Sequence, residues 1–127
     1  MFLTDKFFDS IVNTLNNNAH ILSGAISDKD RKTVLDGLGK AGSDYRTTIY
    51  NEGFKNNKSS IALKDVAQFI EVTKAYLEQS IDANKRDDNM YHAYNLMTVE
   101  NEKEVSISYL SEMLEGQVAV LSSGHLS

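Results

Sequence analysis

The chain has 127 residues, 41% hydrophobic and 24% charged, with a formal net charge of −5 and no cysteine, proline or tryptophan. That length and composition suit one soluble domain spanning residues 1–127, able to bury about two thirds of its unfolded surface. Disulfides, thiolate metal sites and a cysteine nucleophile are excluded, and the acidic balance argues against binding to a phosphate backbone, so no nucleic-acid partner is expected.

The acidic excess is uneven. Residues 1–63 carry 8 basic and 7 acidic side chains, whereas residues 64–127 carry 5 and 11, so an anionic partner should avoid the second half. The longest unbroken apolar run, Val118 to Leu121, is far below the roughly 20 residues of a membrane span, and no membrane partner is expected. Met1 to Asp5 shows no cationic start and no long apolar stretch of a secretory signal. The chain therefore reads as cytoplasmic, or as a piece of something longer.

From Thr4, a plausible N-cap, Phe7, Phe8, Ile11, Val12 and Leu15 form a one-faced helical stripe that the Asn16-Asn17-Asn18 run should end near Ala19. A loop follows to Ile26. Ser27-Asp28-Lys29-Asp30 then supplies a capping hydroxyl and two first-turn carboxylates. Val34, Leu35, Leu38 and Ala41 continue this helix, and Tyr45, Ile49 and Tyr50 carry a second stripe to Gly53. Gly37, Gly39 and Gly42 are expected to kink or split it.

Lys55 to Ser60 is a polar joint, and Asn57-Lys58-Ser59 within it fits a glycosylation sequon. Val66, Phe69, Ile70, Tyr76, Leu77 and Ile81 mark the clearest helix, from about Lys64 to Asn84. Lys85 to Asn89 reads as a charged turn and Met90 to Val99 as irregular. Acidic residues from Glu100 to Glu104 suggest a helix entrance, and Val105, Tyr109, Leu110, Met113, Leu114, Val118 and Leu121 form a wide stripe ending at Gly124. The expectation is an all-α domain of about five helices, a helical bundle or a partial (α/α) toroid-like array.

Gly37-Leu38-Gly39-Lys40-Ala41-Gly42 matches G-x-G-x-x-G, but it lies inside a helix pattern with no preceding strand, so close helix packing explains it better than a dinucleotide. No cofactor is expected. His20, His92 and His125 are far apart, and none has a second histidine three or four residues on, so no metal site is expected either. The carboxylates at Asp87-Asp88, Glu100 to Glu104 and Glu112 with Glu115 read as a turn and a solvated face. Asp82 to Arg86 fails as an EF-hand loop because a cation occupies a ligand position. Neither G-x-S-x-G nor S-x-x-K is present, and catalytic residues remain unassigned.

Tyr91-His92-Ala93-Tyr94-Asn95 is the segment richest in recognition chemistry. Sugar faces stack on aromatic rings while amides and carboxylates bind hydroxyls, and Glu112, Glu115 and Gln117 supply the latter. The alternative is a tyrosine pair facing the core.

Two stretches carry a family resemblance. Asn84-Lys85-Arg86-Asp87-Asp88-Asn89-Met90-Tyr91-His92-Ala93-Tyr94-Asn95-Leu96 and Ser108-Tyr109-Leu110-Ser111-Glu112-Met113-Leu114-Glu115-Gly116-Gln117-Val118-Ala119-Val120-Leu121-Ser122-Ser123-Gly124 resemble part of large bacterial proteins related to cellobiose phosphorylases. The likeness begins near Ala41-Gly42-Ser43-Asp44-Tyr45 and covers residues 41–127. It implies a carbohydrate-active protein with an (α/α)6 toroid. Such a toroid takes about a dozen helices, so a resembling chain would be one segment of a larger polypeptide. The matching stretch holds no catalytic motif of the family, and neither a catalytic acid nor a phosphate ligand is carried over.

The expected function is thus a helical segment of a glycosidase- or phosphorylase-like protein, not catalytic alone, contacting oligosaccharide through Tyr91, His92, Tyr94, Asn95, Glu115 and Gln117. The rival is an association module, a homo-oligomer or partner-helix binder, using the Val105 to Leu121 stripe.

Overall fold

The computed structural model describes residues 3–54, 58 and 60–126. In chain order they form α1 (Leu3–Asn17), a 3-10 turn (Ala19–Ser23), α2 (Asp28–Glu52), α3 (Leu63–Asp82), β1 (Asn95–Asn101), β2 (Glu104–Tyr109) and α4 (Glu115–Ser123). The polar joint expected at Lys55 to Ser60, with the Asn57 sequon, lies outside the described residues except for Lys58 and Ser60.

Among the described residues, four helices, with 61% of residues helical, and one two-stranded antiparallel sheet make this a mixed α/β fold. The all-α expectation of about five helices is corrected: the sheet lies within residues 90–114, read as irregular chain and helix, and α2, expected to kink or split, is one helix. Val105 and Tyr109 are four apart and fit a helix period, but Val105, Ile107 and Tyr109 also alternate, with Ser106 and Ser108 between them. Serine favours helix poorly, and β-branched Thr98, Val99, Val105 and Ile107 fit a pleated surface. The acidic stretch taken for a helix entrance is a hairpin turn. The Asn101 side chain accepts the Lys103 amide at 2.8 Å and donates to Glu104 at 2.7 Å, an Asx-type closure. The register pairs Asn95 with Tyr109, Met97 with Ile107 and Val99 with Val105, with an irregularity between Val99 and Asn101. The Val105 to Leu121 stripe is therefore divided between β2, a loop and α4.

The helical half follows the sequence more closely. Ser27 caps α2, accepting the Asp30 amide at 3.1 Å, and Gly53, at φ 66°, ends it with its N–H on the Ile49 carbonyl. Between those caps α2 runs unbroken for 25 residues, so Gly37, Gly39 and Gly42 do not split it. Packing explains Gly37: a Cβ there would meet Thr14 Cγ2 at 2.5 Å and Oγ1 at 2.9 Å. The missing side chain lets α1 close on α2, and the helix propensity lost is offset by contact.

α1 lies between its two neighbours. Phe7 meets Tyr45 of α2 and Phe8 meets Phe69 of α3, each with ring centroids 4.8 Å apart. Leu15, Ile21 and Ala41 are buried in this layer, and the Tyr76 hydroxyl donates to the Leu15 carbonyl at 2.6 Å. β2 packs on α2 around Val105, which is 0% exposed. Between α2, the 3-10 turn, α3 and the hairpin runs an open groove of about 940 Å³ lined by Leu22, Ile26, Leu35, Ala75, Ile107 and Tyr109 among others. No helix among the described residues is long and apolar enough to cross a membrane.

Replacing Gly37 with Ala should destabilise the chain by about 2 kcal/mol, because the Thr14 hydroxyl is bonded to the Ser10 carbonyl and holds that side chain in the way. Urea denaturation should show most of this loss recovered in the Gly37→Ala/Thr14→Ala double variant.

Candidate functional site

The segment singled out by the sequence connects α3 to β1 and is fixed from both sides. After Asp82 the chain turns through Arg86 to Met90: the Arg86 amide donates to the Met90 carbonyl at 2.8 Å, and the Asn89 amide to the Arg86 carbonyl at 3.0 Å. Asn89 takes φ 64°, a left-handed conformation that asparagine tolerates better than most residues. The Asp88 carboxylate accepts the Met90 amide at 3.0 Å, and Arg86 is paired with Asp88 and Glu112. The expected charged turn is present.

Tyr91 is 3% exposed. Its peptide is clasped by a side chain: the Tyr91 amide donates to Gln117 Oε1 at 2.9 Å, and Gln117 Nε2 donates to the Tyr91 carbonyl at 2.7 Å and to the Met113 carbonyl at 3.2 Å. The primary amide of α4 thus bonds Tyr91 as a neighbouring strand would. Close approach makes this possible, since a Cβ on Gly116 would lie 3.0 Å from the Ala93 Cα. Beyond α4, His125 Nε2 meets Asp82 at 2.9 Å and ties the end of that helix to the end of α3.

His92 is held on the other side. Its amide donates to the Asn84 carbonyl at 2.9 Å, and its ring stacks on Tyr109 with centroids 3.8 Å apart and planes 8° apart. Its Nδ1 is buried with no hydrogen-bond partner in the protein. Asn95 donates from Nδ2 to Asn84 Oδ1 at 2.9 Å and faces Tyr109 across the hairpin. Asn84 and Tyr109 were not candidates from sequence. Tyr109 was hidden in the helical stripe, and reading the alternation from Val105 would have set it beside Asn95.

Tyr94 and Glu115 remain solvent-facing. Tyr94 is 53% exposed, and the Glu115 carboxylate, hydrogen-bonded to its hydroxyl and adding negative charge beside it, holds the phenol above its ordinary pKa. The six candidates therefore divide. The Tyr91 peptide and the Gln117 amide bond each other, His92 is stacked, Asn95 is half of an amide pair, and Tyr94 with Glu115 offers an exposed ring edged by a carboxylate. That last pair has the two surfaces a sugar needs, a face to stack on and an acceptor for hydroxyls. No group of three or more metal-binding side chains occurs among the described residues.

The chain matches no protein-family model and no curated protein sequence.

Removing the clasp orphans two peptide groups around a buried ring, so Gln117→Leu should cost about 2 kcal/mol in urea denaturation and speed hydrogen exchange at the Tyr91 amide. Glu115→Gln should move the Tyr94 titration, followed by phenolate absorbance, back down toward the usual tyrosine range, because both the hydrogen bond and the charge that favour the neutral phenol are weakened or lost.

Proposed function

We propose that this chain is a segment of a glycosidase- or phosphorylase-like carbohydrate-active protein, not catalytic alone, that completes its core against further polypeptide and contacts oligosaccharide through Tyr94 and Glu115. The observation that carries the reading is surface. The chain exposes 9091 Å², whereas a closed monomer of its 14.2 kDa exposes about 6,800 Å². Among the described residues Leu15, Ile21, Ala41, Tyr91 and Val105 are buried, while seventeen large hydrophobic side chains are exposed, among them Leu35 on the groove and Leu114, Val118 and Leu121 about α4. Apolar surface on that scale is normally covered by a partner. The resemblance of residues 41–127 to cellobiose-phosphorylase-related proteins supplies the chemical class, and the ring-and-carboxylate pair at Tyr94 and Glu115 agrees with it. Oligosaccharide is accordingly the proposed ligand, the remainder of a larger polypeptide the proposed cover, and the cytoplasm the proposed compartment.

A second reading, a helical association module without sugar chemistry, is favoured by one separate feature: α3 exposes Leu63, Ile70 and Leu77 on the side away from α1. Homo-oligomer and partner-helix binding both belong to it.

Amide NMR of the chain with short β-linked gluco-oligosaccharides tests the sugar contact. Saturable shifts confined to Met90 to Leu96 and the start of α4 are expected, and Tyr94→Ala should abolish them while leaving the rest of the spectrum in place. Unchanged shifts in that variant, or none in the parent, would remove oligosaccharide from the reading.

A further inference from the structure

α3 carries two apolar faces where a helix on the outside of a domain needs one. Phe69 and Tyr76 turn toward α1, against Phe8 and the Leu15 carbonyl. On the opposite side lie Leu63, Ala67, Ile70, Lys74, Leu77 and Ile81, spaced four, three, four, three and four residues apart. Leu63, Ile70 and Leu77 are 83%, 58% and 60% exposed, and Ala67 and Lys74 between them are exposed as well. Alternation of three and four averages 3.5 residues, the repeat of a coiled-coil seam, and α3 holds it over 20 residues, about 30 Å of helix.

We propose that a second copy of this chain docks antiparallel along this seam. Charge selects both occupant and direction. A parallel, in-register pair would bring Lys74 of each copy together inside the seam and leave Glu71 and Glu78 on its rim with no basic residue opposite. Reversing one helix about a two-fold axis near Val72 sets Leu63 beside the partner's Ile81, Ala67 beside the partner's Leu77 and Ile70 beside the partner's Lys74. Small then meets large along the line. The same reversal brings Lys64 to the partner's Glu78 twice over, and at the centre, where the axis also brings the two Glu71 side chains toward each other, both Lys74 ammonium groups lie beside them and balance their charge. Lys74 is free to turn, since its present contact is a 3.5 Å pair with Glu78 on the surface of its own helix. This inference rests on the association reading; it uses a face of α3 that includes neither Tyr94 nor Glu115.

Sedimentation equilibrium from about 5 to about 500 micromolar should show the mass rising from 14.2 kDa toward twice that value. Ile70→Asp places a charge in the seam on an exposed face, so helicity by circular dichroism should be unchanged while dimerisation weakens at least about tenfold. Because the chain has no cysteine, direction can be read by mixing the Lys64→Cys and Glu78→Cys variants under mild oxidation: the mixture should form covalent dimers of one variant with the other. A constant monomer mass would overturn both the seam and self-association. Mass that rises but ignores Ile70→Asp, or a Lys64→Cys variant that links to itself in preference to Glu78→Cys, would overturn the antiparallel α3 pair and leave association standing through another face.

Discussion

The hydrogen bond from Arg31 to the Val105 carbonyl, at 2.9 Å, joins the helical half of the molecule to the hairpin. Val105 is sealed from solvent, so its carbonyl has no water to turn to, and a hydrogen bond from a charged donor there is worth more than one from a neutral peptide N–H. Arg31 is aimed by its own helix start. Ser27 caps α2, Asp28 takes one side of the guanidinium at 2.6 Å, and the Ile26 carbonyl lies at 3.4 Å. Anchoring β2 at one residue fixes the rest of the hairpin, because a slip of one position would send every side chain to the opposite face. Tyr109 is thereby placed under His92, and Asn95 opposite Tyr109.

The hairpin is also where the chain's apolar surface is least settled. β1 pairs with β2 on one side, and all seven of its residues are exposed, including Leu96, Met97 and Val99. α4 is similarly apolar without a buried residue of its own; it is held by polar attachments, the Gln117 clasp and the His125 contact with Asp82. Such contacts define position but contribute little to a core, and the groove between the two halves leaves Leu35, Ile107 and Tyr109 around open space. The hairpin and α4 are thus arranged largely by hydrogen bonds where a closed core would be arranged by packing, and their apolar side chains stay exposed.

That balance explains what the sequence could and could not disclose. Helix starts and stops are local chemistry, so Ser27, Gly53 and Gly124 marked them correctly, and α1 and α3 followed from their stripes. Gly37 was legible as a site of close packing, but what it packs against was not, because Thr14 comes from another element. Residues 105–109 failed for a different reason: the helical stripe and a strand alternation share Val105 and Tyr109, and only the Asn101 turn and the pairing of Thr98 with Ser106 separate them. Among the candidate residues, types were legible and directions were not. Gln117 was chosen as an amide able to bind a hydroxyl, and the same donor and acceptor are what clasp the Tyr91 peptide.

One turn of α4 positions both the buried clasp and the exposed carboxylate. Gly116 allows the close approach to Ala93, Gln117 fixes the Tyr91 peptide, and Glu115, one residue earlier, is carried to the Tyr94 hydroxyl by the same placement. Tyr94 is fixed from its other side by β-pairing, its carbonyl accepting the Leu110 amide at 3.2 Å. The backbone beneath both members of the exposed pair is therefore fixed. This separates the two surfaces of the molecule in energetic terms. Covering the groove or the exposed face of α3 would add apolar contact where little exists, whereas Tyr94 and Glu115 are already placed beside each other.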